Sequence, residues 1–172
     1  MATNVCLFAR ACRDSFAELK VEAPVFLSRD LFPLLDTAHG RILHVSSGCA
    51  HKPSQSWLSY CVSKAAFLML YQCLNLDWKG RVAVGSFKPG IVDTEMQEQM
   101  RRASPEDFPK VDYFKKLKTS HDEYYGTEKR QPDVPHIPDL SRLDTAENVA
   151  HFAWYLLSKT SDAQFASKDW CV

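Results

Sequence analysis

The chain has 172 residues, 45% of them hydrophobic and 24% charged, which suits one domain with a buried core and is too short for two of ordinary size. Basic and acidic residues balance at 21 each, so no net charge draws the chain to nucleic acid or to an anionic membrane, and neither is expected as a partner. No apolar stretch approaches the roughly 20 residues that span a bilayer, and the opening residues lack the apolar core and small-residue cleavage site of a secretory signal.

Residues 1–13 read as irregular. From Asp14 to Leu35 apolar residues recur at helical spacing, with Pro24 at a favourable first-turn position, so a helix is expected from Pro24 to Leu35, punctuated by Gly40. Arg41–Ser47 (RILHVSS) is a short apolar run expected to form a buried strand, with Ser46 and Ser47 at its carboxyl end. Parallel strands present their chemistry at that end. Ser56–Trp78 reads as one long helix, apolar around so much of its circumference that it should be mostly buried. Gly80 ends it, Arg81–Phe87 makes a second strand, and Pro89-Gly90 breaks the chain at that strand's end.

Residues 95–143 form a long charged connection, helical around Glu95–Arg102 and Asp112–Lys118 and proline-rich at Gln131–Leu140. A connection of this length suggests a lid over a site or a mobile surface segment. Asp144 or Thr145 then caps a last helix through Leu157. The alternation of helix and strand gives an α/β class with a parallel sheet. Six cysteines (Cys6, Cys12, Cys49, Cys61, Cys73, Cys171) lack C-x-x-C spacing and read as reduced thiols of a cytoplasmic protein. His44 and His51 have no ligand companions at useful spacing, so no metal site is expected.

Ser47, Tyr60 and Lys64 carry the candidate chemistry. Tyrosine four residues before lysine occurs twice more, at Tyr125/Lys129 and Tyr155/Lys159, but only Tyr60 has a serine thirteen residues upstream. A phenol is a poor acid–base group at neutral pH because its ordinary pKa is about 10. An ammonium one helical turn later favours the phenolate, which suits Tyr60 to exchange a proton with a carbonyl or alcohol oxygen. Ser47 would hydrogen-bond the same oxygen. Singly, each has a plain structural reading: Tyr60 a packing ring, Lys64 a solvated helix residue, Ser47 a cap.

With these residues in view, the chain resembles the short-chain dehydrogenase/reductase family, and within it small carbonyl reductases similar to sepiapterin and benzil reductases. GRILHVSSGCAHKPSQSWLSYCVSKAAFLML is similar to the family's catalytic strand, loop and helix, VAVGSFKPGIVDTEMQ to its next strand and P-G-x-V-x-T turn, and NVAHFAWYLLSKTSDAQFASKDWCV to its last helix and strand. The resemblance covers Glu22 to Val172. It implies Tyr60 as acid/base, Lys64 lowering the Tyr60 pKa and holding the nicotinamide ribose, and Ser47 positioning a small-molecule carbonyl substrate. It also implies NADP as cofactor, met by Tyr60, Lys64, Pro89, Gly90, Val92 and Thr94, with residues 95–143 as the substrate lid.

The resemblance breaks in two places. No G-x-G-x-x-G or G-x-x-x-G-x-G occurs among Gly40, Gly48, Gly80, Gly85, Gly90 and Gly126, and Lys20 stands where the family usually has an asparagine. The implied architecture is therefore the carboxyl-terminal part of a doubly wound, parallel-sheet Rossmann-type domain, lacking roughly the first 80 to 100 residues of a typical one. Related reductases pair through helices matching Pro24–Leu35 and Ser56–Trp78, which implies either a homodimer or a non-catalytic chain that pairs with an intact relative.

Overall fold

The computed structural model describes residues 18–127 and 143–171. The irregular stretch 1–13, Phe16, Lys129 and the proline-rich Gln131–Leu140 segment lie outside the described residues, and of Tyr125 only the helical backbone is described. After a π-helical turn, Glu18–Glu22, come α1 (Ala23–Ala38), β1 (Arg41–Val45), a single 3-10 turn (Gly48–Ala50), α2 (Leu58–Asp77), β2 (Ala83–Lys88) and β3 (Ile91–Val92). Then follow α3 (Glu95–Arg102), α4 (Val111–Thr127), β4 (Leu143–Asp144), α5 (Ala146–Lys159), α6 (Asp162–Phe165) and β5 (Asp169–Cys171).

Three strands form a parallel sheet in the order β1-β2-β5, with Val45 opposite Phe87 and Ser86 opposite Asp169. A second parallel pair joins β3 to β4, with Val92 opposite Asp144. This is the α/β, parallel-sheet class expected from the alternating pattern. Strand residues point alternately to the two faces, and helices cover both. On one side Ile42 and Val84 meet Phe32, Leu35, Leu68 and Tyr71 from α1 and α2. On the other, Leu43, Ala83 and Phe87 meet Val149, Phe152, Leu156 and Phe165 from α5 and α6. Each fully buried large side chain here contributes about 1.5–3 kcal/mol relative to exposure. Gly85 belongs to the second layer for steric reasons, since a Cβ there would lie 2.7 Å from the Phe165 ring.

The element boundaries shift in ways local physics explains. Pro24 does sit in the first turn of α1, but the helix runs past Leu35 to Ala38. It stops because His39, not Gly40, takes the left-handed conformation, with φ 49°. The expectation that the long helix would be mostly buried is overturned. In α2 only Ser63 and Tyr71 are fully buried, whereas Leu58, Val62, Met69 and Leu76 are exposed. The sheet takes one side of α2, and no described element covers the other. Asp112–Lys118 proves to be part of the longer helix α4. Thr145 caps α5 as expected, its hydroxyl accepting from the Asn148 N–H at 3.2 Å.

Two polar clamps fix the sheet to its surroundings. Arg41 donates to the carbonyls of Leu156, Leu157 and Thr160 at 3.3, 3.1 and 2.8 Å and pairs with Asp162 at 2.6 Å, closing the carboxyl end of α5. Asp169 accepts from Ser86 at 2.8 Å and holds His51 at 2.8 Å, tying the loop after β1 to β5. Among the described residues no helix is long and apolar enough to cross a membrane.

His44 lies under α2, 4% exposed, its ring stacked on Phe67 at 4.5 Å. Burial, helped by the Lys64 charge, lowers its pKa from 6.5 to about 4. The unfolded chain therefore takes up this proton first, so the stability is intact above pH 6.5 and lost as pH falls from there towards 4. Between pH 7 and pH 5 the loss from this group should be about 2 kcal/mol. Urea unfolding at both pH values should show that much more acid sensitivity in the wild type than in His44→Gln, and equal sensitivity would contradict the assignment.

Candidate active site

Parallel pairing brings the carboxyl ends of β1 and β2 to one edge of the sheet. Beyond Val45 the Ser46 N–H still donates to the Phe87 carbonyl at 2.7 Å, which keeps the chain on the sheet for one more residue. Ser47 is extended, and the chain then turns through Gly48–Ala50, with the Ser47 hydroxyl accepting from the Cys49 N–H at 3.2 Å. That turn packs on the start of α2, where Tyr60 occupies the first helical turn. The Ser47 hydroxyl lies beside the Tyr60 phenol, where it favours the phenolate. Ser47 is thus the cap of this turn as well as a neighbour of the phenol.

The electrostatics differ from the expected arrangement. Burial pushes the Tyr60 phenol above its ordinary pKa, against the Ser47 hydroxyl, which favours the phenolate; Cys49 and Cys61 add to the upward shift. The downward shift expected from Lys64 is not the outcome. Lys64 stands one turn further along α2, but its Nζ donates to the Val45 carbonyl at 2.7 Å and lies 5.9 Å from the centre of the Tyr60 ring. Its ammonium closes the end of β1 instead of meeting the phenol oxygen. Burial lowers the Lys64 pKa, and the Lys20 charge lowers it further. The position that departs from the family's asparagine therefore places a second cation near Lys64.

The remaining sequence-predicted residues leave the same sheet edge from β2. Pro89 and Gly90 follow Lys88, and Gly90 has φ 72°, a conformation that favours glycine. Val92 pairs with Asp144 in the small sheet, while Thr94 begins α3 and is exposed, its hydroxyl 3.4 Å from the Val92 carbonyl. Asp93, between them, had no signal in the sequence. Its carboxylate takes Lys118 at 2.8 Å and Arg101 at 3.2 Å, pinning both α3 and α4 to this turn. Burial alone would raise the Asp93 pKa, but the two cations outweigh it and hold the group below the usual carboxylate range.

Trp57 is the other residue the sequence did not single out. Its ring meets Tyr60 edge-on at 5.3 Å and stacks on Phe108 and Phe114 at 5.9 and 6.1 Å. With Met100 and Val111 these form the core that holds α3 and α4 over the start of α2. The one available signal was adjacency: an indole three residues before the candidate tyrosine. A concavity of about 960 Å³ lies elsewhere, between the carboxyl half of α2 and α6, lined by Leu68, Tyr71, Asn75, Gly80 and Asp169 and by neither Ser47 nor Tyr60. Tyr155 is exposed on α5, away from any serine partner in sequence.

A dinucleotide needs two different seats. At the nicotinamide end the donor set fits, because a phenol, an ammonium and a hydroxyl (Tyr60, Lys64, Thr94) lie at one edge beside a left-handed glycine turn. The pyrophosphate end is different. A Cβ added at Gly40 or Gly85 would meet Leu35 at 2.6 Å or Phe165 at 2.7 Å, so these glycines serve close packing and cradle no phosphate.

Residues 7–105 match the family described as short chain dehydrogenase. Benzil reductase ((S)-benzoin forming) of Bacillus subtilis (strain 168) is 33% identical over 105 residues, covering 58% of this chain and 43% of that protein. Sepiapterin reductase of Rattus norvegicus is 43% identical over 63 residues, covering 37% of this chain and 24% of the relative. L-Sorbose reductase from Gluconobacter frateurii, solved in complex with NADPH and L-sorbose, superposes with a TM-score of 0.66 at 26% identity, over 91% of this chain and 55% of that one. The chain thus spans about half the length of its solved neighbour, and its matches cover less than half of these two curated relatives. From the matched segment and the shared parallel-sheet fold, the chain belongs to the short chain dehydrogenase family, a family of oxidoreductases.

Proposed function

We propose that the Ser47–Tyr60–Lys64 edge reduces a small carbonyl compound to an alcohol, with NADPH as hydride donor. The observation that carries this reading is that the turn after β1 and the first turn of α2 bring the Ser47 hydroxyl beside the Tyr60 phenol, near enough to bear on its proton. Two neighbouring hydroxyls can both hydrogen-bond one oxygen placed between them. Ser47 holds that oxygen by hydrogen bonding. Tyr60 gives it a proton as negative charge develops, and the burial that keeps the phenol protonated suits it as the acid. Lys64, Pro89, Gly90, Val92 and Thr94 would hold the nicotinamide end, and a reduced nicotinamide bound there supplies the hydride. For Lys64 this requires exchange of the Val45 carbonyl for a ribose hydroxyl. The NADPH-bound relative and the reductase names of the others support the cofactor and the carbonyl class.

The Trp57 ring, itself backed by Phe108 and Phe114, gives the acid an apolar aromatic border, which favours a flat, weakly polar substrate. A second reading also has an observation behind it. Val62, Met69 and Leu76 make an exposed stripe on α2, and Leu27, Leu31 and Leu34 make another on α1. Such stripes support pairing with a second reductase chain of this family. Light scattering that finds only a monomer, alone and mixed with an intact reductase, would remove that reading.

Tyr60→Phe should lower NADPH-dependent reduction of benzil by about 10²–10⁴-fold with unchanged unfolding, and turnover equal to wild type would remove Tyr60 from the acid role. Because the phenol is raised, reduction should be level through neutral pH and fall only above pH 10, while alcohol oxidation rises over the same range. A fall in reduction already complete by pH 8 would contradict this. Trp57→Ala should cost about 2–3 kcal/mol in urea unfolding and raise KM more than it lowers kcat, because the lid helices lose their seat on α2.

A further inference from the structure

Asp169 opens β5 opposite Ser86, and its side chain is only 10% exposed. A carboxylate so placed needs partners, and three reach it. The Ser86 hydroxyl, fully buried, donates to Oδ1 at 2.8 Å. His51 Nε2 stands 2.8 Å from Oδ2, and Lys88 Nζ lies 3.7 Å from the same oxygen. An ionised carboxylate only accepts, so the imidazole donates from Nε2. The chemistry proposed above uses none of these four side chains.

His51 closes the turn that carries Ser47. The Ser47 carbonyl accepts from the Ala50 N–H at 3.0 Å, and the Gly48 carbonyl takes the His51 and Lys52 N–H groups at 3.1 and 3.2 Å. Backbone bonds thus make 47–52 one unit, from the candidate serine to the tethered imidazole. Nothing lies within 4 Å of the position a Cβ would take on Gly48, so packing leaves that side of the turn open. Lys88 is the last residue of β2, directly before Pro89 and Gly90. We propose that His51 and Asp169 are positioning residues for the reduction: Asp169, anchored on Ser86, holds the Ser47 turn through His51 and the end of β2 through Lys88, and so fixes the spacing of the two sides of the site. The effect on turnover rests on the reductase reading; the hold on the Ser47 turn does not.

The geometry separates this role from a purely structural one. The His51 side chain is 41% exposed, and without it Asp169 keeps Ser86 and Lys88, so the carboxylate is not left unpaired. What is lost is the link from β5 to the Ser47 turn. A displacement of about 1 Å in a group that holds the reacting oxygen can cost about 10²-fold in rate. A glutamine in place of His51 carries an amide N–H at about the reach of the imidazole Nε2 and can restore the bond to Asp169; a leucine has no donor.

The hold on Ser47 is read without turnover, from the titration of ring-labelled Tyr60 in the full chain, its NMR signal assigned with Tyr60→Phe. His51→Leu should move that titration in the direction that Ser47→Ala moves it, and His51→Gln should return it towards wild type. Adding His51→Leu to Ser47→Ala should bring no further shift, because the tether acts through the serine. A titration unmoved by His51→Leu, or a further shift of equal size in the double variant, would overturn the proposal. A fall in urea stability with the titration unmoved would mark His51 as a structural contact and overturn it as well. In benzil reduction His51→Leu should lower kcat about tenfold with KM within about twofold of wild type, and His51→Gln should recover most of the loss. An unchanged kcat would remove the positioning role. Absence of any turnover in the wild type would count against the reductase reading alone, since the Tyr60 titration decides the tether independently.

Discussion

The approach of the Ser47 hydroxyl to the Tyr60 phenol depends on a chain of backbone constraints, and the functional reading depends on it in turn. Ser47 reaches the phenol only because β1 continues along β2 until Ser46 and then folds back through one 3-10 turn. Tyr60 reaches Ser47 only because α2 starts near the same edge. Lys64 holds the two elements together, its ammonium bonded to the last carbonyl of β1. The His51–Asp169 contact ties the following loop to β5. Four elements thus converge on one pair of hydroxyls.

Much of this was legible in the sequence, for identifiable reasons. The strand Arg41–Val45 is a short apolar run ahead of two serines, and α3 begins and ends where its charges said it would, at Glu95 and Arg102. The sequence leaves Asp144 or Thr145 as the cap of α5, and the Thr145 hydroxyl takes that place. Local chemistry sufficed in each case.

What escaped the sequence depends on burial and on partners distant in the chain. Apolar residues around α2 suggested a buried helix, yet Leu58, Val62, Met69 and Leu76 are exposed, because periodicity reports apolar character and not which sides find a neighbour. The phenol was expected to be acidified by Lys64. Instead burial dominates, and the ammonium has a nearer acceptor in Val45. Asp93, joined to Arg101 and Lys118, and Trp57, stacked on Phe108 and Phe114, work through contacts no local motif encodes. Both bind α3 and α4 to the turn after β2 and to the start of α2.

A direct test of the central contact is the Tyr60 phenol titration in the wild type and in Ser47→Ala, followed with ring-labelled tyrosine. The Ser47 hydroxyl opposes the upward push of burial, so its removal should move the Tyr60 pKa higher. A Tyr60 titration that is identical in the two proteins would mean the hydroxyls do not act on each other, and the account of this site would fail.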